Sequence, residues 1–121
     1  VIGTGKRRTK HGPICEGGDV VVTLFPYSDL SESKKRPALT LASLKGDDVI
    51  LCQITSRAIG DDYAVTIEAK DFVSGRLNSP SNARPNRLFT ADSRIILYRA
   101  GTLSSEKMDE ILNAILSILR G

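Results

Sequence analysis

The chain predicts a mainly β domain with α: a small curled sheet or barrel with a C-terminal amphipathic helix packed on it. Three observations carry this. Short apolar runs rich in Val and Ile are separated by turn residues across 19–99. One of them, 49–54, is apolar almost throughout, as a strand covered on both faces is. Finally, Met108, Ile111, Leu112, Ile115, Leu116 and Leu119 fall on one stripe at helical spacing. A chain of 121 residues suits one domain and can bury a core without staples.

The elements follow in order. Residues 1–16 read as a flexible basic tail, glycine-rich and without periodicity, ahead of a domain at 17–121. Residues 19–25 form a Val-rich strand that Pro26 ends, and 27–35 form a polar loop. The next strand, 36–43, carries Pro37 near its start, where a missing N–H is tolerated. A turn at 45–48 leads into 49–54, and a turn at 60–62 into a strand at 63–67. Residues 71–85, with Gly75, Pro80 and Pro85, read as loop; 87–89 and 95–99 read as short strands. The helix spans 104–119, with Ser104 or Ser105 as its cap, acids in its first turns, and Arg120 and Gly121 at its close. Its stripe is expected to face the core, as are Phe25, Phe72 and Phe89.

Charge and composition exclude several classes. Lys6, Arg7, Arg8 and Lys10 against Glu16 account for the whole formal net charge of +3, so the domain itself is neutral. Its charge is still segregated: five arginines and one acid, Asp92, lie between Arg76 and Arg99, which allows a positive cleft. No apolar run approaches the ~20 residues that span a bilayer, and the basic start lacks the apolar stretch of a secretory signal. Cys15 and Cys52 have no metal-ligand spacing; Cys52, inside an apolar run, reads as a buried thiol, and a reducing cytoplasm fits. His11, the only histidine, lies in the tail, so a two-histidine nuclease is excluded. No metal constellation, phosphate loop of Walker type or nucleophile elbow is present, and no cofactor is implied. Asp47, Asp48, Asp61 and Asp62 read as solvated turn residues.

Any chemistry must then rest on Arg, Glu, Thr, Ser and Lys. The polar stretch Glu32-Ser33-Lys34-Lys35-Arg36 is well suited to holding a phosphate, and a second polar group, Thr55-Ser56-Arg57, closes the apolar run at 49–54. Such groups can cut RNA without a metal, because the ribose 2′-hydroxyl is an internal nucleophile. The protein need only place the phosphate, stabilise the growing charge on its oxygens and move two protons. A guanidinium fork binds two phosphate oxygens at once, and a carboxylate can act as base. Tyr27 is a candidate to stack on a base.

The residues also resemble a known family. Gly18-Asp19-Val20-Val21, Phe25-Pro26, Asp29-Leu30-Ser31 and Lys35-Arg36-Pro37-Ala38-Leu39 are similar to the MazF/PemK toxins. The later pieces follow in the family's order: Cys52-Gln53-Ile54-Thr55-Ser56, Asp71-Phe72 with Gly75, Ala83-Arg84-Pro85, Arg87-Leu88-Phe89-Thr90-Ala91-Asp92, and the final helix. The resemblance spans 17–119. It implies an SH3-like small β-barrel, a homodimer and a metal-independent, sequence-specific endoribonuclease. The substrate would be single-stranded mRNA, the products 2′,3′-cyclic phosphate and 5′-hydroxyl ends, and the inhibitor a cognate antitoxin covering the Arg36 loop. Arg36 and Thr55 fall on the family's catalytic arginine and hydroxyl, and Glu32 lies near its loop acid or histidine. Ser31, Lys34, Lys35, Gln53, Ser56, Arg84, Asn86 and Arg87 are the candidate substrate-binding residues. Asn86 stands where one branch carries an aspartate with an acid/base role. An amide cannot exchange a proton in that way, which shifts the chemistry to Glu32 and Arg36. Arg84 and Arg87 either bind RNA or pair with Asp71 and Asp92. The alternatives are a gyrase-poison toxin of the same fold, which the absence of Trp opposes, and an inactive RNA- or protein-binding barrel.

Overall fold

The computed structural model describes residues 15–26, 33–56 and 60–121. In these, the chain order is β1 (Asp19–Pro26), β2 (Ser33–Ser43), β3 (Asp48–Thr55), β4 (Val65–Ile67), β5 (Phe72–Gly75), β6 (Ser81–Asp92), β7 (Ile96–Leu103) and α1 (Ser105–Arg120). The strands form one antiparallel sheet in the order β4-β6-β3-β2-β1-β7-β5.

That order forces the sheet to curl. β4 and β5 are its two edges, six strand spacings apart, or about 29 Å if the sheet were flat. Only a single 3₁₀ turn, Ala69–Asp71, separates them in the chain, and five residues reach at most ~17 Å. The edges must therefore approach each other, giving a half-barrel. Its inner core draws on every strand: Val20, Leu39, Cys52, Ile54, Ile67, Ala83 and Leu103 are buried together, with Phe72 packed against them. Ile111 and Ile115 of α1 close it. Ser104 caps the helix by accepting from the Lys107 N–H (3.1 Å).

A second cluster occupies the outer face: Val21, Ala38, Val49, Leu51 and Ile96, with Phe89 packed against them. The apolar run at 49–54 is thus explained, since Val49 and Leu51 serve the outer cluster while Cys52 and Ile54 serve the inner one. Cys15 belongs to the outer cluster as well. Residues 15 and 16, the described end of the stretch read as a tail, are bonded to the sheet together with Gly18. Ser43 Oγ donates to the Cys15 carbonyl (2.6 Å), Gly18 N donates to the Thr40 carbonyl (2.9 Å), and the Glu16 N–H donates to Asp19 (2.9 Å). Asp19, itself buried, also accepts from Thr102 Oγ1 (2.8 Å) and so ties the lead-in and β1 to β7.

Three expectations change. The region 71–85, read as loop, contains β5 and the start of β6. Pro85 misled because it sits where the β3–β6 ladder skips, between the pairs Cys52–Leu88 and Ile54–Ala83; a bulge needs no N–H at that point. The stripe on α1 is only partly core-facing. Ile111 and Ile115 are buried, with Met108 packed against the inner core, whereas Leu112, Leu116 and Leu119 are exposed. The polar loop is shorter than expected, since β2 begins at Ser33 and its hairpin with β1 runs to the pair Pro26–Ser33.

Both thiols are free and buried. Burial pushes Cys15 up to about 11, helped by the Asp19 charge, and burial pushes Cys52 up to about 11. Unfolded thiols ionise near 8.5. The unfolded chain therefore loses its thiol protons first, so stability is complete below about pH 8.5 and falls as pH climbs towards about 11. The urea midpoint is expected to drop over that window and to hold flat there in a Cys15→Ala/Cys52→Ala double variant. Rapid alkylation of either thiol in the folded protein at neutral pH would contradict this placement.

Candidate active site

The site is built where β1, β2 and β3 end side by side. Successive residues of a strand face opposite ways, so Lys34, Arg36 and Ala38 share the outer face of β2, while Lys35 and Pro37 share the inner one. On β3, Gln53 and Thr55 continue the outer face of Leu51. The β2–β3 ladder closes at Ala38–Gln53; β3 runs two residues beyond it, to Thr55, and β2 continues past Arg36 to Ser33. Arg36 and Thr55 therefore stand on the same face of neighbouring strands, two positions beyond the last ladder pair. Thr23, paired with Arg36 across the hairpin, donates its hydroxyl to the Arg36 carbonyl (3.0 Å). This bond holds the arginine's backbone in place. Arg36 and Thr55 are half-buried; Lys34, Lys35 and Ser56 are exposed.

β6 supplies the flank. Gln53 and Arg87 lie at the break in the β3–β6 ladder, between the pairs Cys52–Leu88 and Ile54–Ala83, and line a shallow pocket of about 240 Å³ with Leu88 and Phe89. Gln53 Oε1 is buried and has no hydrogen-bond partner among the described residues. Arg84 does not pair with Asp71 or Asp92. Its Nε and Nη2 both donate to Asp61 (3.3 and 3.0 Å), whereas Asp71 pairs with Lys107 and Asp92 with Arg94. Arg87 forms no salt bridge with a described residue.

Asp61 is the residue that sequence reasoning undervalued as a solvated turn. It does make the turn, accepting the Tyr63 N–H (2.9 Å), but it also gathers the Arg84 guanidinium and the Asn86 amide. The Tyr63 N–H first, then Arg84 and Asn86, hold its carboxyl below the usual aspartate range against the opposing effect of desolvation. It is therefore an anion at neutral pH and a poor proton carrier, so it does not replace the acid that Asn86 lacks. Its contribution to stability is present above the ordinary aspartate range and is lost as pH falls through the depressed value. Only the partner, 23 residues further along the chain, reveals this role.

Glu32 and Ser31, with Tyr27, lie outside the described residues. Among the described residues, no group of three or more His, Cys, Asp or Glu side chains is placed to hold a metal ion, and no helix is long and apolar enough to cross a membrane.

Comparison with solved structures places the same fold elsewhere. A MazE-MazF structure (Form-II) from Deinococcus radiodurans superposes with a TM-score of 0.70 at 23% identity, over 88% of this chain and 96% of that one. An endoribonuclease in complex with its cognate antitoxin from a mycobacterial species gives 0.68 at 16% identity, over 87% and 94%. The Mycobacterium tuberculosis toxin MazF-mt6 gives 0.62 at 21% identity, over 83% and 96%. At such identities the likeness is one of fold. A comparison with curated proteins finds no match. The family pattern of the PemK-like, MazF-like toxins matches residues 16–119. A pattern that covers nearly the whole folded region, on a half-barrel of the same architecture, assigns the family: the chain belongs to the PemK-like, MazF-like toxins of type II toxin-antitoxin systems.

Proposed function

We propose that this chain is a metal-independent, sequence-specific endoribonuclease that cuts single-stranded mRNA and is silenced by a cognate antitoxin. The observation that carries the reading is the placement of Arg36 and Thr55 on one face of adjacent strands. The family assignment supports it, and one structure of the same fold is an endoribonuclease bound to its antitoxin. The working form is a homodimer in the cytoplasm, in keeping with two free cysteines.

In this reaction the ribose 2′-oxygen bonds to the adjacent phosphorus and the bond from phosphorus to the 5′-oxygen breaks. The products are a 2′,3′-cyclic phosphate and a 5′-hydroxyl. Arg36 grips the phosphate oxygens as their charge grows, and Thr55 donates a further hydrogen bond; each such donor is worth about 10²–10³ in rate. Glu32 takes the proton of the 2′-hydroxyl. The leaving 5′-oxygen, more basic than a guanidine, takes one from Arg36. Ser31, Lys34, Lys35, Ser56 and Arg87 hold the flanking RNA, with Arg84 and Asn86 oriented by Asp61. Gln53, which lines the pocket with Arg87, offers its amide to a base.

The test is cleavage of a mixed-sequence mRNA by the purified chain in EDTA, with chemical mapping of both product ends. Cutting at a recurrent short sequence, with 5′-hydroxyl ends that polynucleotide kinase labels directly, is expected. Cleavage that EDTA stops, or 5′-phosphate ends, would overturn the mechanism. No cleavage together with inhibited gyrase supercoiling would replace it with the gyrase-poison reading.

A further inference from the structure

A cleft of about 580 Å³ opens on the other side of β2 from Arg36, at the end of the inner core. Lys35, Arg76 and Arg99 line it, with no aspartate or glutamate among the lining residues. Lys35 and Arg76 are exposed and form no salt bridge with a described residue. Arg99 reaches Asp19 at 3.6 Å, but Asp19 is buried and already bonded to Thr102 and Glu16, while the arginine side chain stays 55% exposed. The register sets Arg99 opposite Val21 of the outer cluster, so its charged end lies with Asp19 on that face, and the cations of the cleft itself are Lys35 and Arg76. Ser56 and Asn78 add neutral polar side chains, and Tyr98 stands in the wall with 53% of its surface open.

The cleft also adjoins the candidate catalytic face. Lys35 and Ser56, which line it, directly neighbour Arg36 and Thr55 in the chain and alternate with them across the sheet. An RNA strand leaving the Arg36 face has only to cross the rim formed by the ends of β2 and β3 to enter it.

We propose that this cleft is a second RNA subsite. It holds the phosphate chain of single-stranded RNA beyond the cut on Lys35 and Arg76, with an unpaired base stacked on Tyr98. The inference rests on the endoribonuclease reading. Cations and hydroxyls without acids suit phosphates, and an exposed ring beside them suits a splayed base, which neither a duplex nor an acidic peptide offers. None of Arg76, Asn78 or Tyr98 was singled out as a site residue by the sequence, because the loop after β5 and the strand β7, separated by all of β6, bring them together.

The experiment is fluorescence anisotropy over a KCl series, using a fluorescein-labelled, mixed-sequence, single-stranded RNA with 2′-O-methyl ribose throughout, which blocks the internal nucleophile. Arg76→Gln is expected to lower the slope of log affinity against log salt by about 0.7. Tyr98→Ala is expected to weaken binding about tenfold or more, and Tyr98→Phe to retain it. In cleavage of unmodified RNA the loss should fall on KM. Both side chains are exposed, and a circular dichroism melt identifies any variant that has unfolded; Lys35→Gln then reads the same cleft from β2. If the wild-type chain cuts RNA while these variants keep its affinity, salt slope and KM, the cleft proposal fails and the proposed function stands. If the wild-type chain cuts no RNA, the proposed function fails first, and an unchanged salt slope in the variants removes the cleft as well. Variants that lose affinity for an acidic antitoxin segment, with RNA binding intact, would also overturn the subsite.

Discussion

Arg36→Ala is expected to reduce kcat/KM for RNA cleavage by at least about 10³, with the far-ultraviolet circular dichroism unchanged. The size follows from two duties in one side chain. Stabilising the charge on the phosphate is worth about 10²–10³, and delivering a proton to the leaving oxygen about 10²–10⁴. Alanine removes both. Alanine keeps the main-chain carbonyl that accepts from Thr23 Oγ1 and ties this position to β1. Arg36→Lys should recover only part of the activity, since an ammonium offers a point charge where the guanidinium offers a fork. Wild-type turnover in a folded Arg36→Ala protein would remove the mechanism altogether.

Gly75→Ala is expected to destabilise the domain by about 2–5 kcal/mol, lowering Tm by roughly 10–20 °C. Gly75 ends β5 with φ +69°, which costs an L-residue about 1–2 kcal/mol. It also lies against β7, where an added Cβ would run into the Ala100 carbonyl and sit 2.5 Å from the Gly101 Cα; overpacking of that kind costs about 1–3 kcal/mol. These are backbone atoms and cannot swing aside. Gly46→Ala is the control. Its φ is +77°, yet a Cβ there meets nothing within 4 Å, so only the conformational part, about 1–2 kcal/mol, is expected. Calorimetry on both variants decides the matter: equal Tm values would show that the contact between β5 and β7 carries no weight. The same glycine sets up the cleft, because the next residue, Arg76, donates its N–H to the Ala100 carbonyl (3.1 Å).

The legible parts of the chain were those in which information is local. Alternation and turn residues marked β1 to β4, and the helix announced itself by its stripe and its serine cap. The strand at 81–92 was hidden by Pro85, whose tolerance depends on a skip in the ladder with β3. Lys34 and Lys35 looked like loop residues because polarity says nothing about a hairpin that both strands extend past the core.

By itself, the sequence determined the family, through ordered short motifs, and the class of fold, through the periods of its apolar residues. It also determined the candidate chemistry: a guanidinium and a hydroxyl, with its only histidine in the tail. Only the tertiary structure decided which of these groups share a face. It set Arg36 with Thr55 and turned Lys35 to the opposite side. It tied Arg84 to Asp61 across 23 residues, and it left Leu112, Leu116 and Leu119 exposed on the helix. The physical reason is that a strand's alternation is written in the chain, whereas the register between strands, its bulges and the closure of the sheet are set by packing between segments far apart in sequence.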